Sequence, residues 1–511
     1  MNDDTKSTGI TDSTDGTDGT DGTDGTDGTD STVGVPAAGR DRSAPSVTAA
    51  VPKQLASPGP TATVPATPGA APRPTPAEAE QLAADTITAC SRLIRFDTSN
   101  FGAGESRGER GCAEWVAGQI AEAGFAPRVL ESAPGRANTV VRIPGADPTA
   151  PALLVHGHLD VVPAESADWR SDPFSGEVRD GAVWGRGALD MKDMDAMMIA
   201  FVRHLARTGR RPPRDVVLAF TADEEDTGAF GAGYLVREHA DLFEGVGCAI
   251  SESGGHSVHL TGGGRLYPIA AGERGSAWLT VTVRGTAGHG SRRNDDNAIV
   301  KAAALVTRFA EYQWPVRVVP VVRALLDGLA AHLGRPITPD DLGDLGAAAP
   351  LLADTLRNSV NPTMLRAGYK HNVIPSEAGV ALDGRLLPGT ESEFFATVDE
   401  LLGPDATRTG AHNPPVSADF TAPDFAAMAA ALRAHDPEAL VLPYCMTGGT
   451  DAKTFAKLGI PGFGFVPGRT PAGFDPWRYV HGVDEHVLTE SLAFGASVLT
   501  TYLLTDPRGR S

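Results

Sequence analysis

The chain predicts an α/β fold with helices on both sides of a buried sheet, interrupted between residues 270 and 390 by an α+β insert. Three observations point to it. The runs "NTVVRI", "ALLVHGH" and "DVVLAFTAD" are short, apolar and β-branched, as expected of strands buried on both faces. Between them lie segments whose apolar residues recur at three and four positions, the spacing of helices. At "AWLTVTVRGTAGHGS" the texture changes to period-two alternation, with Trp278, Thr280 and Thr282 against Leu279, Val281 and Val283.

Taken in order, Thr14 to Gly28 is five tandem Thr-Asp-Gly units. A three-residue period does not reproduce a calcium loop with its terminal bidentate Glu, so a solvated disordered tail is expected, with calcium binding as the alternative. An Ala/Pro/Thr/Val-rich stretch over 33–76 reads as an extended linker, so 1–76 is tail and linker. Folding is expected to begin near Ala77, where "AEAEQLAADTITACSRLIRF" has helical spacing. Met191–Arg207 is another helix candidate. A second alternating strand, "EAGVALDGRLLPG", closes the insert at Glu377–Gly389. The α/β pattern resumes with "PDFAAMAAALRAH" and "GIPGFGFVPG", so 77–269 plus 391–507 are expected to form one domain around the insert. The stretch 315–365 has no detailed placement.

Composition narrows the function. The 511 residues suffice for two domains, and 44 Lys plus Arg against 64 Asp plus Glu give a formal charge of −20. Residues 1–32 hold nine Asp and one Lys, a net −8, which leaves −12 for the rest. Such a balance argues against nucleic-acid binding, which needs clustered basic residues. Cys90, Cys112, Cys248 and Cys445 are scattered without paired spacing, which suits a reducing compartment. No secretory pattern opens "MNDDTKSTGI" and no run approaches ~18 apolar residues, so a cytoplasmic protein without a membrane span is expected.

Several strand-like runs end in metal-ligand residue types. In "LLVHGHLDVVPA", Asp160 lies two residues past His158 and shares its face on an extended chain. A carboxylate beside an imidazole fixes its tautomer and frees the other nitrogen for a metal, the alternative being a hydrated polar strand end. "WGRGALDMKD" sets Asp190 after a Gly-rich turn, a weak echo of a dinucleotide fingerprint that lacks its third Gly. "FTADEEDTG" brings Glu224 and Glu225 after an apolar strand, although such a run is usually a solvated turn. "CAISESGG" ends at Glu252, and "YVHGVDEHV" holds His481 near the C-terminus. Together they offer two imidazoles, three carboxylates and a spare, a mixed N/O set for one or two zinc or cobalt ions.

The segments "LIRFDTSN", "HGHLDVVP", "WGRGALDMKD", "TADEEDTGAFGA", "SESGG", "GTAGHGS", "KHNVIP", "LDGRLLPG", "GGTDAKTF" and "HGVDEH" occur in that order. In this the chain resembles the co-catalytic zinc metallopeptidase family of carboxypeptidase G, aminoacylase-1, acetylornithine deacetylase and succinyl-diaminopimelate desuccinylase. The resemblance implies a mixed-sheet di-zinc peptidase catalytic domain with an inserted ferredoxin-like lid or dimerisation domain. It implies two Zn²⁺, with Co²⁺ or Mn²⁺ as substitutes: His158 and Glu252 on one ion, Glu225 and His481 on the other, Asp190 bridging. Glu224 becomes the general base, Asp160 the residue orienting His158, and His289 the oxyanion donor, reaching a neighbouring subunit in family dimers. Asn372 and Arg385 match positions that grip a substrate carboxylate. The Asp190–Met191 peptide is expected to be cis.

The chain departs from the family at Asp193, where Gly is common, at Ser253, where Pro is usual, and in the charged "SRRNDDNAI". None removes a ligand; they bear on substrate choice. The reading is a metal-dependent hydrolase of a small N-acyl amino acid or dipeptide with a free carboxylate. The alternatives are a dedicated desuccinylase or acetylornithine deacetylase and, more remotely, a non-enzymatic binding or scaffold protein. Expected partners are the small substrate and a second copy through the insert, with neither nucleic acid nor membrane; some relatives are monomeric. No G-x-S-x-G elbow supports a serine hydrolase.

Overall fold

The first helix, Pro76–Ile94, is started by a capping box. The Thr75 hydroxyl accepts from the Glu78 amide at 3.3 Å, and the Glu78 carboxylate accepts from the Thr75 amide at 2.7 Å. The computed structural model describes residues 72–509, so the Thr-Asp-Gly repeats and the linker before residue 72 lie outside the described residues.

A ten-stranded mixed sheet forms the main body. At its centre Ala152–His158 runs parallel to Val216–Thr221 on one side and Val246–Ser251 on the other. Every residue of the first two strands is buried, as continuous apolar runs require. Arg136–Ile143 pairs antiparallel to Val216–Thr221 and makes the sheet mixed, with Arg128–Ala133 outside it. On the other flank come Gly462–Gly464, Arg265–Glu273 and Ala439–Met446. Alternation then sorts the faces. Leu153, Val155, Val216 and Leu218 pack towards helices Pro76–Ile94, Lys192–Thr208 and Thr489–Leu503, while Leu154, Val217 and Ala249 pack with Leu235 and Phe455 behind. The four cysteines are buried free thiols. No helix among the described residues is long and apolar enough to cross a membrane.

A second, four-stranded antiparallel sheet has the order Ser359–Ala367, Glu377–Leu386, Gly275–Arg284, Ala406–Asn413. Gly275–Arg284 alternates strictly, with Ala277, Leu279, Val281 and Val283 buried against helices Ala298–Glu311 and Glu391–Leu402. Chain order β-α-β-β-α-β with that strand order is the ferredoxin-like arrangement. Its limits differ from 270 and 390. Arg265–Glu273 belongs to the large sheet, and Ala406–Asn413 joins the small one although it lies beyond 390. Within 315–365, helix Pro320–Leu333 and the short helix Pro350–Ala353 pack on the large core through Val322, Leu325, Leu329 and Leu352.

Candidate metal centre

Parallel neighbours end at one edge of a sheet, and three of them here end in ligand-type residues. His158 closes its strand level with Thr221, which leads directly into Asp223, Glu224 and Glu225. Ser251 closes the third strand and is followed by Glu252. Asp190 arrives from the loop before helix Lys192–Thr208, through a cis Asp190–Met191 peptide. His481 comes from the loop after Pro476–Arg478. Asp223, Ser253 and His481 hold φ of 66°, 70° and 58°, left-handed values that cost non-glycine residues on the order of 1–3 kcal/mol each. Ala103, Asp180 and Asp484 hold left-handed values as well, so three of the six such non-glycine residues among the described ones are ligands or adjoin them here.

The side chains meet closely. His158 Nε2 lies 3.0 Å from Asp190 Oδ1 and 4.0 Å from Glu252 Oε2. His481 Nε2 lies 3.1 Å from Asp190 Oδ2 and 3.1 Å from Glu225 Oε2. Each oxygen of Asp190 therefore faces a different imidazole. Two groups, His158–Glu224–Glu252 and His158–Asp190–Glu225, hold ligand atoms within 4.8 Å of one another. His158 is buried, and His481 is half exposed.

Asp160 works differently from the expectation. The His158 Nδ1–H donates to the Asp160 backbone carbonyl at 2.9 Å, and the carboxylate is 3.7 Å away. The strand ends at His158, so the turning chain presents the carbonyl to the ring. The carboxylate instead accepts from the amides of Glu224 and Glu225 at 3.1 and 3.2 Å and from Asn100 Nδ2 at 2.9 Å. It holds the acidic turn in place. Asn100 also donates to Asp223 at 3.2 Å, and Asp223 accepts from Arg136, itself forked onto buried Glu109.

Electrostatics reflect the crowding. Burial, then the charge of Glu252, pushes Glu224 well above the usual carboxylate range. Glu252 is raised in the same way by burial and Asp190. Burial opposes the charged form of Asp190, but hydrogen bonds from His158 and His481 overcome it and hold the carboxyl below its usual range. Bonds to Asp190 and Glu225 raise His481 to about 10. Burial acts to lower His158, yet the Asp190 bond and the Glu252 charge keep it well above its ordinary value. Asp451, which accepts from Thr221 at 2.8 Å, is pushed by burial to about 7.

Four carboxyls and two imidazoles at this spacing are a poor solvated surface and a good cation site. Glu225 Oε1 is buried without a partner, an open lone pair in the middle of the set. Mixed oxygen and nitrogen donors in two overlapping groups fit a pair of divalent ions of the zinc, cobalt or manganese type.

Among the described residues, no hydrogen bond or ion pair joins His289, Asn372 or Arg385 to this cluster. His289 is exposed on the short strand Gly288–His289, with Asn372 beside it through the Gly290 amide at 2.9 Å. Ser291 N–H donates to His289 Nδ1 at 3.2 Å, so Nε2 carries the proton of the neutral ring. Arg385 forks onto Asp383 at 2.8 and 2.9 Å. It stands opposite Ser276, whereas Glu377, the end nearer Asn372, stands opposite Arg284, roughly 25 Å along the strand. Asn372 and Arg385 of one chain do not close on one carboxylate, because antiparallel register carries them to opposite ends of the sheet.

Two supporting residues went unread. Glu485 accepts from Arg186 Nη1 at 2.6 Å and from the Gly187 and Leu189 amides at 3.1 and 2.8 Å, which fixes the loop delivering Asp190. Its only signal was a second acid beside His481 in "HGVDEH". Asn100 lay within the quoted "LIRFDTSN", but nothing in the spacing linked it to Asp160.

Comparison with known proteins agrees with this geometry. The model of peptidase family M20/M25/M40 matches residues 154–505. Aminoacylase-1 of Sus scrofa is 27% identical over 391 residues, covering 74% of this chain and 86% of that protein. The M20 family metallo-carboxypeptidase Sso-CP2 of Sulfolobus solfataricus superposes with a TM-score of 0.61 at 16% identity, covering 83% of this chain and 99% of that one. The di-peptidase Dug1p of Saccharomyces cerevisiae gives 0.59 at 16%, covering 84% and 97%. These likenesses to solved structures concern the fold.

Proposed function

This chain belongs to peptidase family M20/M25/M40, and from that premise we propose that it hydrolyses the amide bond of a small N-acyl amino acid or of a dipeptide with a free carboxylate. The observation that carries the reading is Asp190, one oxygen on each of two imidazoles, with Glu224 half-buried alongside. His158 and Glu252 would hold one divalent ion, Glu225 and His481 the other, and Asp190 both; zinc suits the donors, with cobalt or manganese as substitutes. Bound there, the pair supplies Lewis-acid polarisation of water and of the scissile carbonyl.

The chain's own residues do the rest. Asp160 and Asn100 fix the turn that aims Glu224, which takes a proton from the attacking water and returns it to the departing nitrogen. Arg385, released from Asp383, offers a planar fork to the substrate carboxylate. His289 Nε2–H is a suitable oxyanion donor. Its exposure, with no bond to the cluster, favours its acting in a second copy of the chain. The four buried thiols favour a cytoplasmic setting.

Glu224→Ala tests the base. With N-acyl amino acids, kcat should fall by about 10³ while bound metal per chain stays unchanged. Turnover equal to the parent's rules Glu224 out.

A further inference from the structure

The chain passes from the large sheet to the small one through a single residue. Arg265–Glu273 ends in the first, Gly275–Arg284 opens in the second, and only Arg274 lies between. We infer that Glu273 and Arg274 are positioning residues for the hydrolysis: they fix the end of the small sheet that carries Arg385 against the loop that supports the acidic turn. The inference rests on the hydrolase reading above and names what sets the substrate grip relative to the centre.

Both residues are buried, and each ties a different side. The Glu273 carboxylate accepts from the Thr450 hydroxyl and amide at 2.9 and 3.0 Å. Next along that loop, Asp451 accepts from Thr221, the residue that leads into Asp223 and Glu224. Arg274 points the other way. Its Nη2 donates to the carbonyls of Arg357 and Arg385 at 3.2 and 3.0 Å and to the Ser359 hydroxyl at 2.9 Å. Ser359 and Arg385 stand opposite each other on neighbouring strands of the small sheet. The large side holds the Arg274 backbone as well. Its amide donates to the Met446 carbonyl at 3.0 Å, and its carbonyl accepts from buried Lys453. Burial disfavours the charge on Lys453 and Glu273 favours it, while the charges of Arg385 and Glu224 both reach it. The grip and the base thus lie within electrostatic reach of one ammonium.

The joint has little slack. A second connection, from Ala406–Asn413 back to the large sheet at Val416–Ser417, runs beside Arg274 through Pro414 and Pro415. A β-carbon added at Gly275 would stand 2.7 Å from Pro415 Cδ and 2.9 Å from the Asn413 carbonyl oxygen. Two prolines fix their own φ angles, which stiffens this connection. Arg274 Nε is buried without a partner, and burial brings the guanidinium down to about 10. A buried cation with an unmet N–H costs stability that an apolar side chain would spare, so Arg274 answers to position rather than to packing.

The test uses the zinc-loaded full chain and two substrates with the same scissile bond: acetyl-alanine, and acetyl-alaninamide, which lacks the carboxylate. Arg274→Met should raise KM for acetyl-alanine about tenfold with kcat nearly unchanged, and should leave both constants for acetyl-alaninamide within about twofold. Arg274→Lys, which still offers donors to the same oxygens, should bring KM back to within about threefold of the parent's. Ser359→Ala removes one acceptor and should give the same pattern at about threefold. Because Arg274 acts through Arg385, Arg274→Met added to Arg385→Ala should cost acetyl-alanine no more than Arg385→Ala alone. Equal losses on both substrates overturn the inference, as do losses that add. Calorimetry of acetyl-alanine on the Glu224→Ala protein reads the grip without turnover, and adding Arg274→Met should weaken binding about tenfold. If the parent cleaves neither substrate but that weakening is seen, the hydrolase reading fails and the joint stands. Binding that Arg274→Met leaves unchanged overturns the joint in either case.

Discussion

Asp160 shows how one side chain serves two neighbours. Its carbonyl sets the His158 tautomer, and its carboxylate accepts both amides of the Glu224–Glu225 turn. Asp160→Asn keeps the carbonyl but replaces one accepting oxygen with an NH₂ that faces a donor. It should lower kcat or metal affinity about 10- to 100-fold, measured by steady-state kinetics and metal titration on the same preparation. Full activity would mean that the turn holds itself. Asp195 is a different case. It is buried with neither oxygen paired, and burial pushes it to about 8. The native chain therefore keeps its proton where the unfolded chain has released it, between about pH 4 and 8. Stability from this group is complete below the unfolded value and declines as pH rises towards 8. Denaturant midpoints measured from pH 5 to 8 should fall with pH, and Asp195→Asn should flatten the slope whatever it does to the absolute value. An unchanged slope would place the titration elsewhere.

At the scale of elements, the site depends on a strand and a helix lying unusually close. A β-carbon added at Gly157 would stand 2.4 Å from Asp195 Oδ1 and 3.2 Å from Met191 Cε, both on the segment that follows Asp190. Gly157→Ala should force that segment outward, with a cost of about 1–3 kcal/mol in chemical denaturation and a lower kcat as Asp190 shifts. Normal stability with normal kcat would show that the helix start yields freely. The same elements explain what could be read in advance. "ALLVHGH", "VVLAFT" and "CAIS" are apolar runs with ligands at their ends, so residue order alone put His158, Glu224, Glu225 and Glu252 at strand termini. His481 follows no strand, so it was singled out only as a histidine near the C-terminus in "YVHGVDEHV", and its place on an ion came from the motif resemblance. Strand Ala406–Asn413 was missed because "ATRTGAHN" is mostly polar and exposed at its end, with no apolar alternation to read. Helix Pro320–Leu333 is plainly amphipathic, but its partner strand Ala439–Met446 lies about a hundred residues on, and periodicity names no partner. Register is likewise silent in a single sequence, which is why Asn372 and Arg385 were placed on one carboxylate.

At the scale of the molecule there are two cores with different tasks. The large one fixes the ligands, and the small one carries Arg385 at one end of its sheet and His289 with Asn372 at the other. Within one copy His289 is exposed and makes no bond to the ligand cluster, while the chemistry proposed for the site wants an imidazole N–H at the developing oxyanion. If a second copy supplies it, each site draws Glu224 from one chain and His289 from the other. Glu224→Ala and His289→Ala should each be nearly inactive alone. Mixed under conditions that exchange subunits, random pairing makes half the dimers mixed, and each mixed dimer has one site with both groups intact. About a quarter of parental activity should then return. Sedimentation of the same mixtures checks that a two-chain species is present. Activity that stays at the level of the separate variants would mean that the oxyanion donor and the base come from the same chain, and that the small sheet must swing to deliver His289 by itself.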